Sequence, residues 1–196
     1  MSDRDARVSP GVGALDIAAN RGARKWSAAE LLGRALWDLC GPLFRWSPRQ
    51  IWAWRTGLLR LFGARIGRHV HIHPSVRIAL PWNLEIGDNS AVGDGVILYS
   101  LGLICLGADV TVSQYAHLCA GTHDYRRSDL PLIKAPIRVG EGAWICADAF
   151  VGPGVEIGAF AIAGARAVVV GPVEPWTIVA GNPARKIAAR PRPTQP

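Results

Sequence analysis

The feature that most restricts the fold is a period of six residues between positions 139 and 169. Glycine follows the opening residue in four of the five complete blocks, which start at Val139, Ile145, Val151, Ile157 and Ala163. An α-helix repeats about every 3.6 residues and a plain strand every second residue, so a period of six indicates a short strand followed by a corner. Stacked coils of this kind are typical of a parallel β-helix.

The repeat also predicts the buried residues. The opener of each block points into a narrow interior, and the small residue after it lets the backbone turn where a Cβ atom would cause strain. Another inward residue comes two positions before each opener. A prism of triangular section has room there only for small or branched side chains, which are Ile137, Ala143, Ala149, Val155, Ala161 and Ala167.

The same spacing starts at Ile66 and continues to Leu118, with slips of two residues after Ile78 and at Ile104. It then stops at a polar, basic loop, residues 121–136, and resumes at Val139. At about 18 residues per coil, the spacing predicts about five coils. A loop inserted into a regular solenoid is where function is usually found.

The sequence predicts four regions. Residues 1–25 mix charges with glycine and proline and predict a poorly ordered arm. A tryptophan-rich helical cap over 26–63 is followed by the repeat domain over 64–188, and the proline-rich end over 189–196 predicts a loose tail.

Two helices are predicted inside residues 26–63. The first runs from Ser27 to Leu39 and ends near Gly41-Pro42. The second begins at a capping box in which Ser47 is the N-cap, and Gly63 ends it.

Six of the eight tryptophans lie in or beside this segment, at Trp26, Trp37, Trp46, Trp52, Trp54 and Trp82. One interpretation is a cap that covers the open end of the β-helix. The other is a hairpin lying in a membrane interface, with Arg45, Arg49, Arg55 and Arg60 at the headgroups. Packing within one protein needs no second partner, which favours the cap, and the two interpretations are compatible.

The composition narrows the classes of partner. A net charge of +7 indicates an anionic partner. Much of the excess positive charge lies in the two tails and the first helical segment. A phosphate-bearing cofactor or an anionic membrane suits this distribution better than nucleic acid does. The four cysteines show no C-x-x-C spacing, which predicts reduced cysteines that pack as small buried side chains in a cytoplasmic protein. Neither a signal peptide nor a spanning helix is predicted.

Several motifs resemble a known family. The repeats, Gly121-Thr122-His123-Asp124 and the ending Gly181-Asn182-Pro183-Ala184-Arg185-Lys186 resemble the hexapeptide-repeat acyltransferases. Segments 44–48, 59–64, 81–84 and 176–183 resemble the colanic-acid-biosynthesis branch, which is similar to the maltose, galactoside and nodulation O-acetyltransferases. The resemblance covers about residues 31–188. It implies an all-β, left-handed parallel β-helix, a homotrimer with active sites between neighbours, acetyl-CoA as donor and a sugar hydroxyl as acceptor.

His123 is the candidate general base. A hydroxyl is a poor nucleophile until a base takes its proton, and imidazole, with an ordinary pKa of about 6.5, suits that role at neutral pH. His123 lies where the regular wall gives way to the loop. The hypothesis is direct transfer, in which the oxygen attacks the thioester and a backbone N–H stabilises the oxyanion. Asp124 is a candidate to orient the imidazole.

The resemblance also implies donor-binding residues. Trp144 and Ala147 match positions beside the pantetheine arm, Ala165 matches a second backbone contact, and Arg185 and Lys186 match basic positions near the CoA phosphates. Relatives often carry Thr-Lys after the last rung, where this chain has Val170-Gly171, and Arg166 is a candidate to compensate. Candidates for the acceptor pocket are Asp94, Tyr99, Ser100 and Gln114. Each of them could equally be an ordinary solvent-exposed residue on the wall of the β-helix.

Other classes remain open. A zinc site like that of the gamma-class carbonic anhydrases needs three histidines. His117 and His123 are six residues apart, which places them on successive faces, while His69, His71 and His73 alternate on one strand face. A non-catalytic scaffold and a small-molecule acetyltransferase acting on an antibiotic or on serine are further alternatives. The interpretation adopted is an O-acetyltransferase for an exopolysaccharide or its lipid-linked precursor, cytoplasmic or at the inner face of the membrane, without a required metal.

Overall fold

The computed structural model describes residues 15–192. Three helices precede the β domain: α1 (Ile17–Gly22), α2 (Ala28–Arg45) and α3 (Trp52–Leu61). The strands are β1 (Arg65–Ile66), β2 (His71–Ile72), β3 (Arg77–Ile78), β4 (Leu84–Ile86), β5 (Ala91–Val92), β6 (Ile97–Tyr99), β7 (Ile104–Leu106), β8 (Thr111–Val112), β9 (His117–Cys119), β10 (Thr122–His123), β11 (Leu132–Ile133), β12 (Ile137–Val139), β13 (Trp144–Ile145), β14 (Phe150–Val151), β15 (Glu156–Ile157), β16 (Ile162–Ala163), β17 (Val168–Val169), β18 (Thr177–Ala180) and β19 (Arg185–Ala189).

Three sheets form the walls of a triangular prism. The first sheet has the order β1-β4-β7-β12-β15, the second β2-β5-β8-β13-β16-β18 with β19 at its end, and the third β3-β6-β9-β14-β17. Every pair between successive coils in these three sheets is parallel, and β19 is added to the second sheet antiparallel to β18. The parallel β-helix predicted from the period of six is confirmed, with five complete coils and the start of a sixth.

The corners of the prism are named here by the sheets they join. The second corner joins the second sheet to the third, and the third corner joins the third sheet to the first sheet of the next coil. Partner residues in the early coils are 20 positions apart, as in Arg65 and Glu85, and in the late coils 18 positions apart, as in Asp148 and Arg166. The two predicted slips fall at the third corner, where the first of them forms a short 3-10 turn, Pro81–Asn83.

The glycines after the openers are needed for a different reason from the predicted one. A Cβ atom on Gly87 would lie 2.5 Å from the backbone nitrogen of Ala108 in the next coil, and one on Gly140 would lie 2.5 Å from the nitrogen of Ala159. Neither glycine has the left-handed backbone that would itself require glycine. Both glycines lie where the first sheet joins the second. Side chains are excluded there because successive coils approach too closely, not because the chain turns.

The helices close the first coil. Trp37 and Phe44 of α2 and Leu59 of α3 belong to the same buried cluster as the β-helix core. The Trp37 indole donates to the carbonyl of Ile78 at 2.9 Å, and the fully buried Arg55 donates through Nε to the carbonyl of Ile72 at 2.6 Å. The open edge of the first coil is thus packed against side chains of both helices.

The helix boundaries differ from the prediction. α2 passes through Pro42 and ends at Arg45, with the Trp46 N–H bonded to the Pro42 carbonyl at 2.9 Å. Proline removes a single helix hydrogen bond, and burial of Trp37 and Phe44 on one face keeps the helix intact. The Ser47 hydroxyl donates to the Phe44 carbonyl, so it closes α2 instead of capping the next helix.

The chain ends also differ from the prediction. Part of the predicted arm forms α1, and the Asp16 N–H donates to the Ser128 carbonyl of the inserted loop at 2.8 Å. Ala189, at the start of the predicted tail, belongs to β19, and Arg190 donates to the carbonyls of Gly142 and Phe160. The predictions for residues 1–14 and 193–196 fall outside the described residues.

We expect Gly87→Ala to destabilise the prism. The new methyl group must push two coils apart, which should lower the free energy of unfolding by about 1–3 kcal/mol, the usual cost of overpacking. Urea denaturation followed by circular dichroism measures the change. Gly57→Ala is the matched control because its Cβ would meet nothing within 4 Å and it lies in α3, where alanine favours the helix. An equal or smaller loss in Gly87→Ala than in the control would contradict the stacking argument.

Candidate functional site

The inserted loop carries His123 on a small hairpin. β10 and β11 pair antiparallel, with Thr122 opposite Ile133 and His123 opposite Leu132. The hairpin leaves the prism at the third corner, just after β9, and the side chain of His123 is exposed. Strand pairing therefore holds the backbone of His123 while leaving its ring accessible.

A carbonyl determines which nitrogen of His123 is protonated. Nδ1 lies 2.6 Å from the carbonyl oxygen of Leu130. A carbonyl oxygen only accepts hydrogen bonds, so Nδ1 carries the hydrogen and donates. In the neutral ring the lone pair then lies on Nε2, the nitrogen that a general base uses.

Asp124 does not orient the imidazole. Its Oδ1 accepts from the backbone N–H of Arg126 at 3.0 Å, which closes the turn of the loop. Asp124 follows the end of β10, and its carboxylate bonds the loop backbone and not the His123 ring. The predicted partner is thus replaced by the Leu130 carbonyl.

The N-terminal segment holds that carbonyl in place. Asn20 of α1 donates through Nδ2 to the carbonyls of Leu130, at 2.6 Å, and of Asp129, at 2.7 Å. Lys25 donates to Asn20 Oδ1 at 2.7 Å and so fixes the orientation of the amide. Sequence reasoning missed Asn20, because no local pattern indicates a contact between residues 110 positions apart.

A second contact ties the loop to α2. Lys134 of the loop lies 3.1 Å from Glu30 in the first turn of the helix. The Ser27 backbone N–H, followed by Lys134 and the Ser27 hydroxyl, lowers the pKa of Glu30 to about 2. The Glu30 carboxylate therefore stays charged at neutral pH. It keeps both its hydrogen bond to the Ser27 backbone and its ion pair with Lys134.

A cavity of about 360 Å³ lies beside His123. Its walls come from the N-terminal segment, the loop and the third sheet, and they include Lys25, Trp26, Arg34, Asp38, Tyr99 and Leu132. Tyr99 is the one predicted acceptor residue among them, and its side chain is exposed. The cavity contains none of the predicted donor-binding residues.

The predicted donor residues gather along the second corner. Ala147 and Ala165 occupy this corner in the fourth and fifth coils, and the Arg166 N–H donates to the Ala147 carbonyl at 2.9 Å. Arg166 also lies 3.5 Å from Asp148. Trp144, on the second sheet, is half exposed and donates to the Ser113 hydroxyl at 2.8 Å. Two small residues thus leave this corner open beside an exposed tryptophan.

The last coil adds the basic residues. Arg185 and Lys186 lie on β19, at the end of the second sheet, and line a cavity of about 510 Å³ together with Val170 and Gly171. Among residues 15–192 neither cation forms an ion pair with a carboxylate. They are thus free to meet an anion.

Two predicted acceptor residues are also on the second corner. Asp94 and Gln114 lie there in the second and third coils, below Ala147, and the Asp148 N–H donates to the Gln114 carbonyl at 3.1 Å. The Asp94 carboxylate bonds the Ser75 hydroxyl and lies 3.1 Å from His73 Nδ1. The hydrogen bond from Ser75, with a smaller effect of His73, lowers the pKa of Asp94.

The structure assigns Ser100 a structural role. Its fully buried hydroxyl accepts from the Leu80 N–H and donates to the Leu80 carbonyl. The Ser100 hydroxyl therefore holds together the backbone at the two-residue slip of the third corner. Both of its hydrogen bonds are used there, so it is not available to an acceptor.

Metal ligands do not cluster in the described part of the chain, where no group of three His, Cys, Asp or Glu side chains could hold an ion. His117 packs edge-on against Tyr99 and Phe150, and burial lowers its pKa. Burial likewise raises the pKa of Cys146, which disfavours the thiolate that a covalent mechanism would need.

Comparison with known proteins agrees with this architecture. The chain is 44% identical to the protein named colanic acid biosynthesis acetyltransferase WcaF from Escherichia coli K12 over 154 residues, which are 79% of this chain and 85% of that protein. It is 25% identical to the galactoside O-acetyltransferase of the same organism over 136 residues, 68% of this chain and 67% of that protein. No protein-family model matches the chain.

Solved structures show the same fold. A hexapeptide-repeat acetyltransferase from Vibrio cholerae, determined with acetyl coenzyme A, superposes with a TM-score of 0.77 at 25% identity over 86% of this chain and 93% of that chain. A maltose O-acetyltransferase from Clostridium difficile gives a TM-score of 0.76 at 22% identity over 85% of this chain and 90% of that chain. These matches confirm the left-handed β-helix, and the chain belongs to the colanic acid biosynthesis acetyltransferase family of hexapeptide-repeat enzymes.

Proposed function

We propose that this protein transfers an acetyl group from acetyl-CoA to a sugar hydroxyl in exopolysaccharide biosynthesis, with His123 as the general base. The observation that carries the proposal is the bond from His123 Nδ1 to the Leu130 carbonyl, which leaves Nε2 as an exposed base. The names of the similar proteins support the donor and the class of acceptor.

In the proposed reaction, Nε2 of His123 takes the proton of the acceptor hydroxyl as its oxygen forms a bond to the thioester carbon. The carbon–sulfur bond then breaks, and the proton passes from Nε2 to the departing thiolate of CoA. Asn20 acts as a positioning residue because it holds the carbonyl that orients the ring. Both ring nitrogens are donors in the intermediate imidazolium, and the Leu130 carbonyl keeps its hydrogen bond throughout.

The second corner fits the donor. CoA carries a narrow pantetheine arm and several phosphates. Ala147 and Ala165 leave room for the arm along the corner, and Arg185 and Lys186 offer two cations beside a cavity of about 510 Å³ for the phosphates. Val170 and Gly171 line that cavity without a charge and Glu174 adds one carboxylate, so Arg185 and Lys186 leave one net positive charge for the phosphates.

The active site is proposed to form between subunits of a homotrimer. Within one chain His123 leaves the prism at the third corner, whereas the donor residues lie along the second corner and the second sheet. A base and a thioester at different corners of one prism cannot react. Packing the third corner of one prism against the second corner of its neighbour brings them together, and a ring of three subunits repeats that contact.

We expect the His123→Ala variant to lose acetyl-transfer activity and still to bind acetyl-CoA. The loss of a general base should lower kcat by about 10²–10⁴-fold, while acetyl-CoA binding remains because no donor residue changes. Product formation with a saccharide acceptor and isothermal titration of acetyl-CoA measure the two effects. His71→Ala, on the first coil, is the matched control.

Two results would overturn this role: full activity in His123→Ala, or a control that loses as much. A protein that binds no acetyl-CoA and contains stoichiometric zinc would instead favour the hydratase alternative. Transfer to chloramphenicol or serine, with none to any saccharide, would favour a small-molecule acceptor.

Mixed assemblies test whether two subunits share one site. His123→Ala lacks the base, and Ala165→Trp places a large side chain at an exposed position of the donor corner. Each variant alone should be inactive. When the two are unfolded and refolded together in equal amounts, about one quarter of the wild-type activity should return, because each shared site then has one chance in four of receiving both intact halves. No recovery would show that base and donor act within one chain.

A membrane contact is part of the proposal. The face of α2 opposite to Trp37 and Phe44 exposes an apolar seam made of Leu32, Leu36, Leu39, Leu43 and Trp46. Trp54, whose indole donates to the Leu43 carbonyl at 3.0 Å, and Ile51 extend it. The exposed Arg45 and Arg49 lie at the same end and suit anionic headgroups. No helix of residues 15–192 has the length and hydropathy to cross a bilayer.

Liposome flotation tests this surface. We expect the protein to float with phosphatidylglycerol vesicles and less with phosphatidylcholine vesicles. Leu39→Glu and Trp46→Glu should each reduce binding at least about tenfold, because burial of such a side chain contributes about 1.5–3 kcal/mol. Ile187→Glu, at another exposed apolar residue on the far end of the prism, is the control. Absence of flotation by the wild type, or equal loss in the control, would remove the membrane contact.

A further inference from the structure

We propose that the cavity beside His123 selects a saccharide that carries an anionic group, and that Arg34 and Lys25 bind this group. The inference rests on the proposed acetyltransferase function and adds the chemical class of its acceptor. The walls of the cavity, the hydrogen bonds of the two cations and the charges around them support it.

Arg34 has an unused donor at this cavity. Its Nη1 is buried and finds no hydrogen-bond partner among residues 15–192, although a guanidinium has five N–H donors. The guanidinium carbon lies 4.3 Å from the centroid of the Trp26 ring, which holds the side chain in place. Buried donors are almost always paired in folded proteins, and Arg34 lines this cavity, so we infer that a ligand supplies the missing partner.

Lys25 adds a second cation. One of its N–H groups is used by Asn20 Oδ1 at 2.7 Å, and an ammonium has three. Lys25 therefore fixes the Asn20 amide and still has donors for the cavity. Because Asn20 holds the Leu130 carbonyl that orients His123, the anion would bind next to the groups that position the base.

The charges around the cavity sum to a positive value. Arg34 and Lys25 face one carboxylate, Asp38, which lies one helical turn from Arg34 and forms no ion pair with it within 4.0 Å. Lys134 also lies near Trp26, but Glu30 neutralises it at 3.1 Å. An anion entering the cavity would thus meet one net positive charge.

The size and the remaining walls suit a sugar. A volume of about 360 Å³ lies within the range of about 300–1,000 Å³ found for small-molecule sites. Tyr99, which is 41% exposed, offers an aromatic side chain on which the apolar face of a pyranose can pack, beside Leu132. His123 also lines this cavity, so a hydroxyl of a sugar bound there would lie near the base.

The shared chemistry is an oxyanion that a guanidinium can bind with two parallel hydrogen bonds. A uronic acid supplies it as a carboxylate, and a sugar phosphate supplies it as a phosphate. The experiment therefore compares three acceptors that share one ring: glucose, glucuronic acid and glucose 1-phosphate.

The test is steady-state kinetics of the full chain at saturating acetyl-CoA. We expect the wild type to have a KM for glucuronic acid, glucose 1-phosphate or both that is at least about tenfold below that for glucose, the discrimination one charged hydrogen-bonded pair provides. Arg34→Gln should raise that KM toward the glucose value and leave the KM of acetyl-CoA unchanged. Arg34→Lys, which keeps the charge, should restore most of the preference.

Arg126→Gln is the matched control, since it removes the same charge from the same side of the protein but outside the cavity. The inference is overturned if glucose is preferred to both anions, or if Arg126→Gln changes the KM as much as Arg34→Gln does. A preference for the carboxylate identifies a uronic acid, and a preference for the phosphate identifies a phosphorylated sugar.

A binding measurement separates this inference from the proposed function. If none of the three sugars is acetylated, the proposed function has failed for this class, and titration of glucose 1-phosphate and glucuronic acid into the wild type and Arg34→Gln still examines the cavity. Binding weakened at least about tenfold by Arg34→Gln supports the anion site. Equal binding by both proteins, or by neither, overturns it.

Discussion

The close stacking of one coil on the next is the constraint on which this structure depends. The openers Ile66, Ile86, Leu106, Val139 and Ile157 lie above one another in parallel register and bury each other. Their glycines allow the backbones to approach so closely that a methyl group at Gly87 or Gly140 would meet the next coil. The burial of the openers and the hydrogen bonds between coils therefore come from the same repeat. An insertion within a strand would break both, so the prism tolerates one only at a corner.

That constraint leaves the corners for chemistry. The loop with His123 leaves at the third corner, and Ala147 and Ala165 open the second corner in the fourth and fifth coils. The proposed base and the proposed donor site are separated because the walls between them are strands whose outward faces are too regular to converge on one point. A prism can unite them only through a neighbour, and this is the physical reason for proposing that the site is shared.

The repeat domain could be predicted from the sequence because each coil obeys one local rule. The N-terminal segment could not, because its contacts are individual and distant. Asn20 reaches the Leu130 carbonyl through one hydrogen bond, and Ser47 closes a helix that its sequence suggested it would begin. Asp124 was a reasonable partner for His123 by proximity, but its carboxylate bonds the Arg126 N–H and the Leu130 carbonyl bonds the imidazole.

The N-terminal segment connects all the proposed roles. Its helices close the first coil, α1 fixes the carbonyl that orients His123, and Lys25, Trp26 and Arg34 form a wall of the cavity beside the base. The apolar seam lies on the outer face of α2, while Arg185 and Lys186 lie at the opposite end of the prism. An acceptor held at a membrane surface would therefore approach from the helical end and the donor from the other, so neither blocks the other's path to His123.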